Sequence, residues 1–139
     1  MPSTERSTHS ADVAVLGATA GGVIAAVAAA REGASVVLLE PGRHVGGMLS
    51  GGLSRTDVER QEGLIGGVAG EVFTRIGAHY GGGPTWRFEP HVAEGVLVEL
   101  LGEAGVTVLH DAALAGLAMD GRRIRTVRLA DGRAVDAAV

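Results

Sequence analysis

Six residues, Gly17-Ala18-Thr19-Ala20-Gly21-Gly22, follow a short apolar run and open an alanine-rich one. Glycine stands at the first and sixth places, and Thr19 takes the third, where a dinucleotide fingerprint carries its middle glycine. Gly17 permits a tight turn, and Gly22 lets a helix approach the preceding strand closely. Backbone amides at the start of that helix, aided by its dipole, can then bind a diphosphate. Thr19 is compatible with this role if its side chain leaves the phosphate path open, and its hydroxyl can then donate to the same anion. Taken alone, the six residues serve equally well as a plain glycine turn.

Glu40 adds a second function at the right distance. It ends the next apolar run, about 20 residues on, where an acid accepts hydrogen bonds from ribose hydroxyls. A carboxylate there also repels a 2′-phosphate, which disfavours NADP. Its bland alternative is a solvated strand end.

These residues need a strand, a turn, a helix and a second strand to hold them, and the chain supplies all four. Residues 12–16 and 35–40 are short apolar runs that read as buried strands. Residues 23–32 between them read as a helix closed by Gly33. The unit is βαβ, with a right-handed crossover and parallel strands. Residues 41–66 lose periodicity and form a long glycine-rich excursion, a kind of loop that is usually functional or disordered. Helical spacing returns over 67–80 and again over 90–104, the latter opened by Pro90 and ended by Gly105. Residues 106–109 read as a third buried strand. Asp120-Gly121 and Asp131-Gly132 then punctuate segments 114–119, 123–129 and 134–139, which predicts an antiparallel three-stranded meander.

Composition narrows the class. The chain has 139 residues, enough for one small domain, and 46% are hydrophobic while only 3% are aromatic. Ala, Val and Leu carry the apolar weight, which suits helices packed closely on a parallel sheet. The 23 glycines cluster at turns without a repeat, so a fibrous reading fails. A net charge of −4 with no basic run argues against a nucleic-acid surface. With no cysteine there is no disulfide and no thiolate metal site. None of the five histidines has the spacing and third ligand that a metal needs.

Residues 13–30 form an uncharged run that superficially resembles a secretory leader. Glu5 and Asp12 put negative charge where such a leader is positive, and Gly17, Gly21 and Gly22 interrupt the apolar stretch. The sequence therefore predicts a cytoplasmic chain without a membrane span, with residues 1–11 as a disordered tail ahead of a domain over 12–139.

The residues after Glu40 separate nicotinamide from flavin. Glu40-Pro41-Gly42-Arg43-His44-Val45-Gly46-Gly47-Met48 resembles the glutathione-reductase-like flavoprotein superfamily, in which the acid is followed by a glycine pair. Two glycines let a second backbone segment approach a cofactor without obstruction by Cβ atoms. Gly47-Met48-Leu49-Ser50-Gly51-Gly52-Leu53-Ser54-Arg55-Thr56-Asp57 is similar to the signature of a bacterial family of FAD-dependent oxidoreductases, as is Trp86-Arg87-Phe88-Glu89-Pro90-His91-Val92-Ala93-Glu94.

The resemblance implies an FAD-binding domain of Rossmann-like α/β fold, a parallel sheet with the meander appended. It also implies an oxidoreductase acting on a small molecule. It gives the pyrophosphate to Gly17, Thr19, Ala20, Gly21 and Gly22, and the adenosine ribose to Glu40. Gly46, Gly47 and Met48 would line the path toward the flavin, and the backbone at Leu114 would contact adenine. Arg55 is either a ligand for the flavin N1–C2=O edge or a substrate carboxylate, or a plain surface arginine; Asp57 can simply start a turn. Such domains return after the meander to one more parallel strand, so the resemblance further implies the front portion of a longer enzyme, inactive alone. An NAD-binding dehydrogenase domain and a non-enzymatic nucleotide-fold module remain open at this level.

Overall fold

The computed structural model describes residues 8–58 and 60–139. Val13–Leu16 (β2), Val36–Leu39 (β3) and Thr107–Leu109 (β4) form a parallel sheet in the order β2-β3-β4. Val13 pairs with Val36 and Leu16 with Leu39, while Leu39 also pairs with Leu109. The crossover from β2 to β3 is Ala20–Arg31 (α1). Gly67–His79 (α2) and Pro90–Glu103 (α3) fill the interval before β4.

β3 is buried along its whole length because both faces of the sheet are covered. Val36 and Leu38 pack among the helices, with Val23 and Val27 of α1, Ile76 of α2 and Leu97 of α3. Val37 and Leu39, pointing the other way, pack against Val127, Leu129 and Val135. Those three belong to Arg123–Leu129 (β6) and Ala134–Ala137 (β7), which with Leu114–Asp120 (β5) make the predicted meander. The layers are therefore helices, parallel sheet and meander. Each fully buried leucine, such as Leu38 or Leu97, contributes roughly 1.5–3 kcal/mol by leaving water.

The helices are also fastened to each other at the surface. Glu71 of α2 accepts from Arg31 of α1 at 2.6 Å and from Arg75 at 2.7 Å. Arg75 reaches on to Glu103 of α3 at 2.8 Å. The Arg31 guanidinium, with Arg75 behind it, holds the Glu71 carboxyl down at about 2.

Two expectations need correction. The tail predicted over residues 1–11 ends in a strand, Thr8–Ala11 (β1), which pairs in parallel with β7. Residues 1–7 lie outside the described residues. The polar sequence of β1 suits an edge position, where backbone pairing replaces side-chain burial. Asp12 then moves the chain from one sheet to the other: its carboxylate accepts from the Ser35 amide at 2.8 Å and the Ser35 hydroxyl at 2.7 Å. Those bonds hold its pKa below the ordinary value. The second correction concerns residues 134–139, since the meander strand stops at Ala137. Val139 instead bonds the start of β2, donating to the Asp12 carbonyl at 3.0 Å and accepting from the Ala14 amide at 2.9 Å.

Candidate functional site

The helix after β2 begins earlier than its apolar spacing indicates, at Ala20 instead of Val23. Thr19 makes the difference. Its backbone is extended, and its hydroxyl oxygen caps α1 by accepting from the Gly22 amide at 3.1 Å. The Gly22 amide is thus committed to the cap, while the amides of Ala20 and Gly21 have no acceptor within the helix. Gly17 takes φ +95°, a conformation that favours glycine, and donates to the Leu39 carbonyl at 2.8 Å. A methyl group on Gly22 would stand 1.9 Å from the Gly17 carbonyl oxygen, so the predicted close approach of helix to strand is real.

Glu40 sits where the ends of the three parallel strands converge. Its amide donates to the Leu109 carbonyl and its carbonyl accepts from the Ala112 amide at 2.8 Å. One carboxylate oxygen accepts from the Ala18 amide at 3.0 Å, and the other from the Gly42 amide at 2.7 Å. Each oxygen keeps a further acceptor site, so the carboxylate can still take two adjacent hydroxyls.

The glycine pair returns to this turn from the long excursion. The Gly46 amide donates to the Ala18 carbonyl at 2.7 Å, and Gly46 bridges Thr19 in parallel. Gly46 lies at φ +108°, and a Cβ there would meet Leu97 Cδ1 at 2.8 Å; one on Gly47 would meet Thr19 Cα at 3.2 Å. Two groups on α3 set this placement: Leu97 from below and Glu94, whose carboxylate accepts from the Val45 amide at 3.1 Å and contacts His44 Nδ1 at 3.0 Å.

Thr19, Ala20, Gly21, Gly46 and Met48 line a cavity of about 480 Å³. Gly17, Gly22, Gly47 and Glu40 are not on its lining: Gly17 and Gly22 shape the turn, Glu40 bonds the Ala18 amide next to Thr19, and Gly47 packs on Thr19. Leu114 is not on the lining either. It opens β5, two residues beyond the Ala112 bond to Glu40, and is 46% exposed. Sequence reading missed part of the remaining lining, made by Leu49, Leu53 and Phe88 together with Arg55, Thr56 and Asp57. Ser54–Thr56 and Trp86–Phe88 zip together there: the Thr56 amide donates to Trp86 at 3.0 Å and the Phe88 amide to Ser54 at 3.1 Å. About thirty residues separate the two segments, and no local pattern announces their pairing. Arg55 consequently stands at the cavity instead of on a detached surface loop.

The cavity offers uncommitted helix-start amides to an anion, and off its lining the Glu40 carboxylate, bonded to the same turn, keeps acceptor sites for hydroxyls. Met48, itself 77% exposed, adds an apolar surface. FAD, a diphosphate with an adenosine on one side and a flat ring on the other, fits those donors. Among the described residues no cluster of His, Cys, Asp and Glu could hold a metal ion, and no helix is long and apolar enough to cross a membrane.

Solved structures share the fold. An L-amino acid deaminase from Proteus vulgaris is 18% identical over 93% of this chain and 46% of its own, with a TM-score of 0.67. A 3-ketosteroid-Δ4-(5α)-dehydrogenase from Rhodococcus jostii is 18% identical over 94% of this chain and 44% of its own, with a TM-score of 0.62. A flavin monooxygenase from Stenotrophomonas maltophilia is 20% identical, over 94% of this chain and 36% of its own, at a TM-score of 0.60. The chain thus spans less than half the length of each. No curated protein matches it by sequence. Residues 12–139 match the model of the FAD dependent oxidoreductases, and the chain belongs to that family.

Proposed function

We propose that residues 12–139 are the FAD-binding unit of a flavin-dependent oxidoreductase and hold the adenosine diphosphate half of the cofactor. The observation that carries this reading is the pair of hydrogen bonds that the Glu40 carboxylate accepts from the Ala18 and Gly42 amides. It couples the candidate ribose acceptor directly to the candidate phosphate turn.

FAD, when bound, supplies the redox chemistry of the family. The chain's own residues bind and orient it. The Ala20 and Gly21 amides, with the α1 dipole, offset the negative charge of a diphosphate. The Thr19 hydroxyl accepts from Gly22 and keeps its proton available for a phosphate oxygen. Glu40 takes the ribose hydroxyls, and the backbone at Leu114 lies toward adenine. Gly46 and Gly47 bring their backbone close without side chains, while Met48, Leu49, Leu53 and Phe88 keep water from the ring's approach.

The substrate is a small molecule, the setting is the cytoplasm, and the 139 residues by themselves turn over nothing. The test is the absorbance spectrum of the purified full-length protein, followed by identification of the released cofactor. Bound FAD is expected; a colourless protein that binds NAD instead would overturn the reading.

A further inference from the structure

Arg55 and Arg87 stand directly opposite each other in an antiparallel bridge. Opposite residues in such a pair project to the same face with Cβ atoms about 4.5–5.5 Å apart, and two like charges there destabilise the pairing. Both side chains line a second cleft of about 350 Å³, beside Thr85 and Trp86. Neither guanidinium makes a hydrogen bond or ion pair among the described residues, although Arg31, Arg43, Arg75, Arg125 and Arg133 all do. Glu62 lines the same cleft, so among the described residues of its lining two cations face one carboxylate. Arg55 and Thr56 line the flavin-side cavity as well, which makes the two spaces neighbours through a common wall.

We propose that the cleft between Arg55 and Arg87 binds the carboxylate of a small-molecule substrate at the outer edge of the flavin-side cavity. An anion held between two guanidinium forks removes the like-charge cost of the bridge and gains charge-assisted, bidentate hydrogen bonds. Trp86 supplies an apolar wall for the part of the ligand next to the carboxylate. A substrate anchored here by its non-reacting end extends past Arg55 toward the cavity. The meaning of this cleft for catalysis rests on the FAD reading, but its anion binding does not.

The experiment is calorimetric titration of the full-length protein with benzoate and with benzamide, its neutral isostere. Cofactor content is read separately from the spectrum. Benzoate is expected to bind about tenfold or more tightly than benzamide, with a preference that shrinks as salt rises. Arg87→Gln is expected to weaken benzoate about tenfold or more, to leave benzamide unchanged and to leave FAD content unchanged. Arg87→Lys, which keeps the charge and loses the fork, is expected to fall between; with Arg55→Gln it carries the comparison should Arg87→Gln not fold. Equal affinity for the two probes would overturn the proposal. So would an Arg87→Gln protein that loses FAD and keeps its benzoate affinity, since the arginine would then belong to the cofactor. A colourless wild-type protein that still prefers benzoate supports the anion cleft while removing the flavin reading.

Discussion

The Glu40 carboxylate accepts from the Ala18 amide at 3.0 Å, which fastens the end of one parallel strand to the turn that leaves its neighbour. The residue assigned to the ribose therefore also sets the shape of the turn assigned to the phosphates. A change at Glu40 should be felt in both ligand affinity and local structure.

Glu40→Gln is expected to weaken FAD by about 1–3 kcal/mol, the range for losing hydrogen bonds to a charged acceptor. The amide nitrogen it introduces must face either the Ala18 or the Gly42 N–H, donor against donor, so the turn loosens too. Titration of cofactor-stripped full-length protein with FAD and with riboflavin checks this. Riboflavin lacks the adenosine ribose and should bind the variant and wild type alike; equal losses for both would indicate general unfolding.

Gly21 and Gly22 are adjacent, and their substitution should have opposite consequences. A methyl at Gly22 meets backbone at 1.9 Å, so Gly22→Ala is expected to cost about 3 kcal/mol and Gly22→Val to give a colourless or insoluble protein. At Gly21 the nearest atom is Thr19 Oγ1, at 3.9 Å. Gly21→Ala should leave folding intact and raise stability by up to about 1 kcal/mol through helix propensity. Paired denaturant titrations distinguish the two; similar losses would refute the close approach at Gly22.

The βαβ unit was legible because its signals are local. A four-residue apolar run, glycines at the turn and an acid at the next strand end all fall within about thirty residues. The same locality made the meander readable through Asp120-Gly121 and Asp131-Gly132. The strand Thr8–Ala11 was not readable, because it is polar and acquires its partner more than a hundred residues later. The ladder between Ser54–Thr56 and Trp86–Phe88 was hidden for the same reason, and with it the place of Arg55. Thr19 illustrates a third case: read as a departure from the glycine fingerprint, it is the helix cap, and its hydroxyl does work that a glycine there could not.

Acid should loosen the helical layer. The folded pKa of Glu71, about 2, lies below its ordinary 4.5. Its contribution is thus fully present above about pH 4.5 and is lost as pH falls from there toward 2. The side chain is 30% exposed and partly screened, so about 1–2 kcal/mol is expected, less than the full shift implies. Glu71→Gln should flatten the decline of stability over that window, seen in urea titrations at pH 5 and pH 3. An unchanged pH dependence would mean that the Arg31–Glu71–Arg75 contacts contribute nothing in solution.

The central claim, that the Gly17–Gly22 turn and Glu40 grip the adenosine diphosphate half of FAD, is tested most directly with ADP. That molecule carries the ribose and the diphosphate and nothing of the flavin. Cofactor-stripped full-length protein should bind ADP in competition with FAD, and Glu40→Gln should weaken ADP and FAD by the same factor. FAD binding that saturating ADP does not displace, or ADP affinity indifferent to Glu40, would contradict the account.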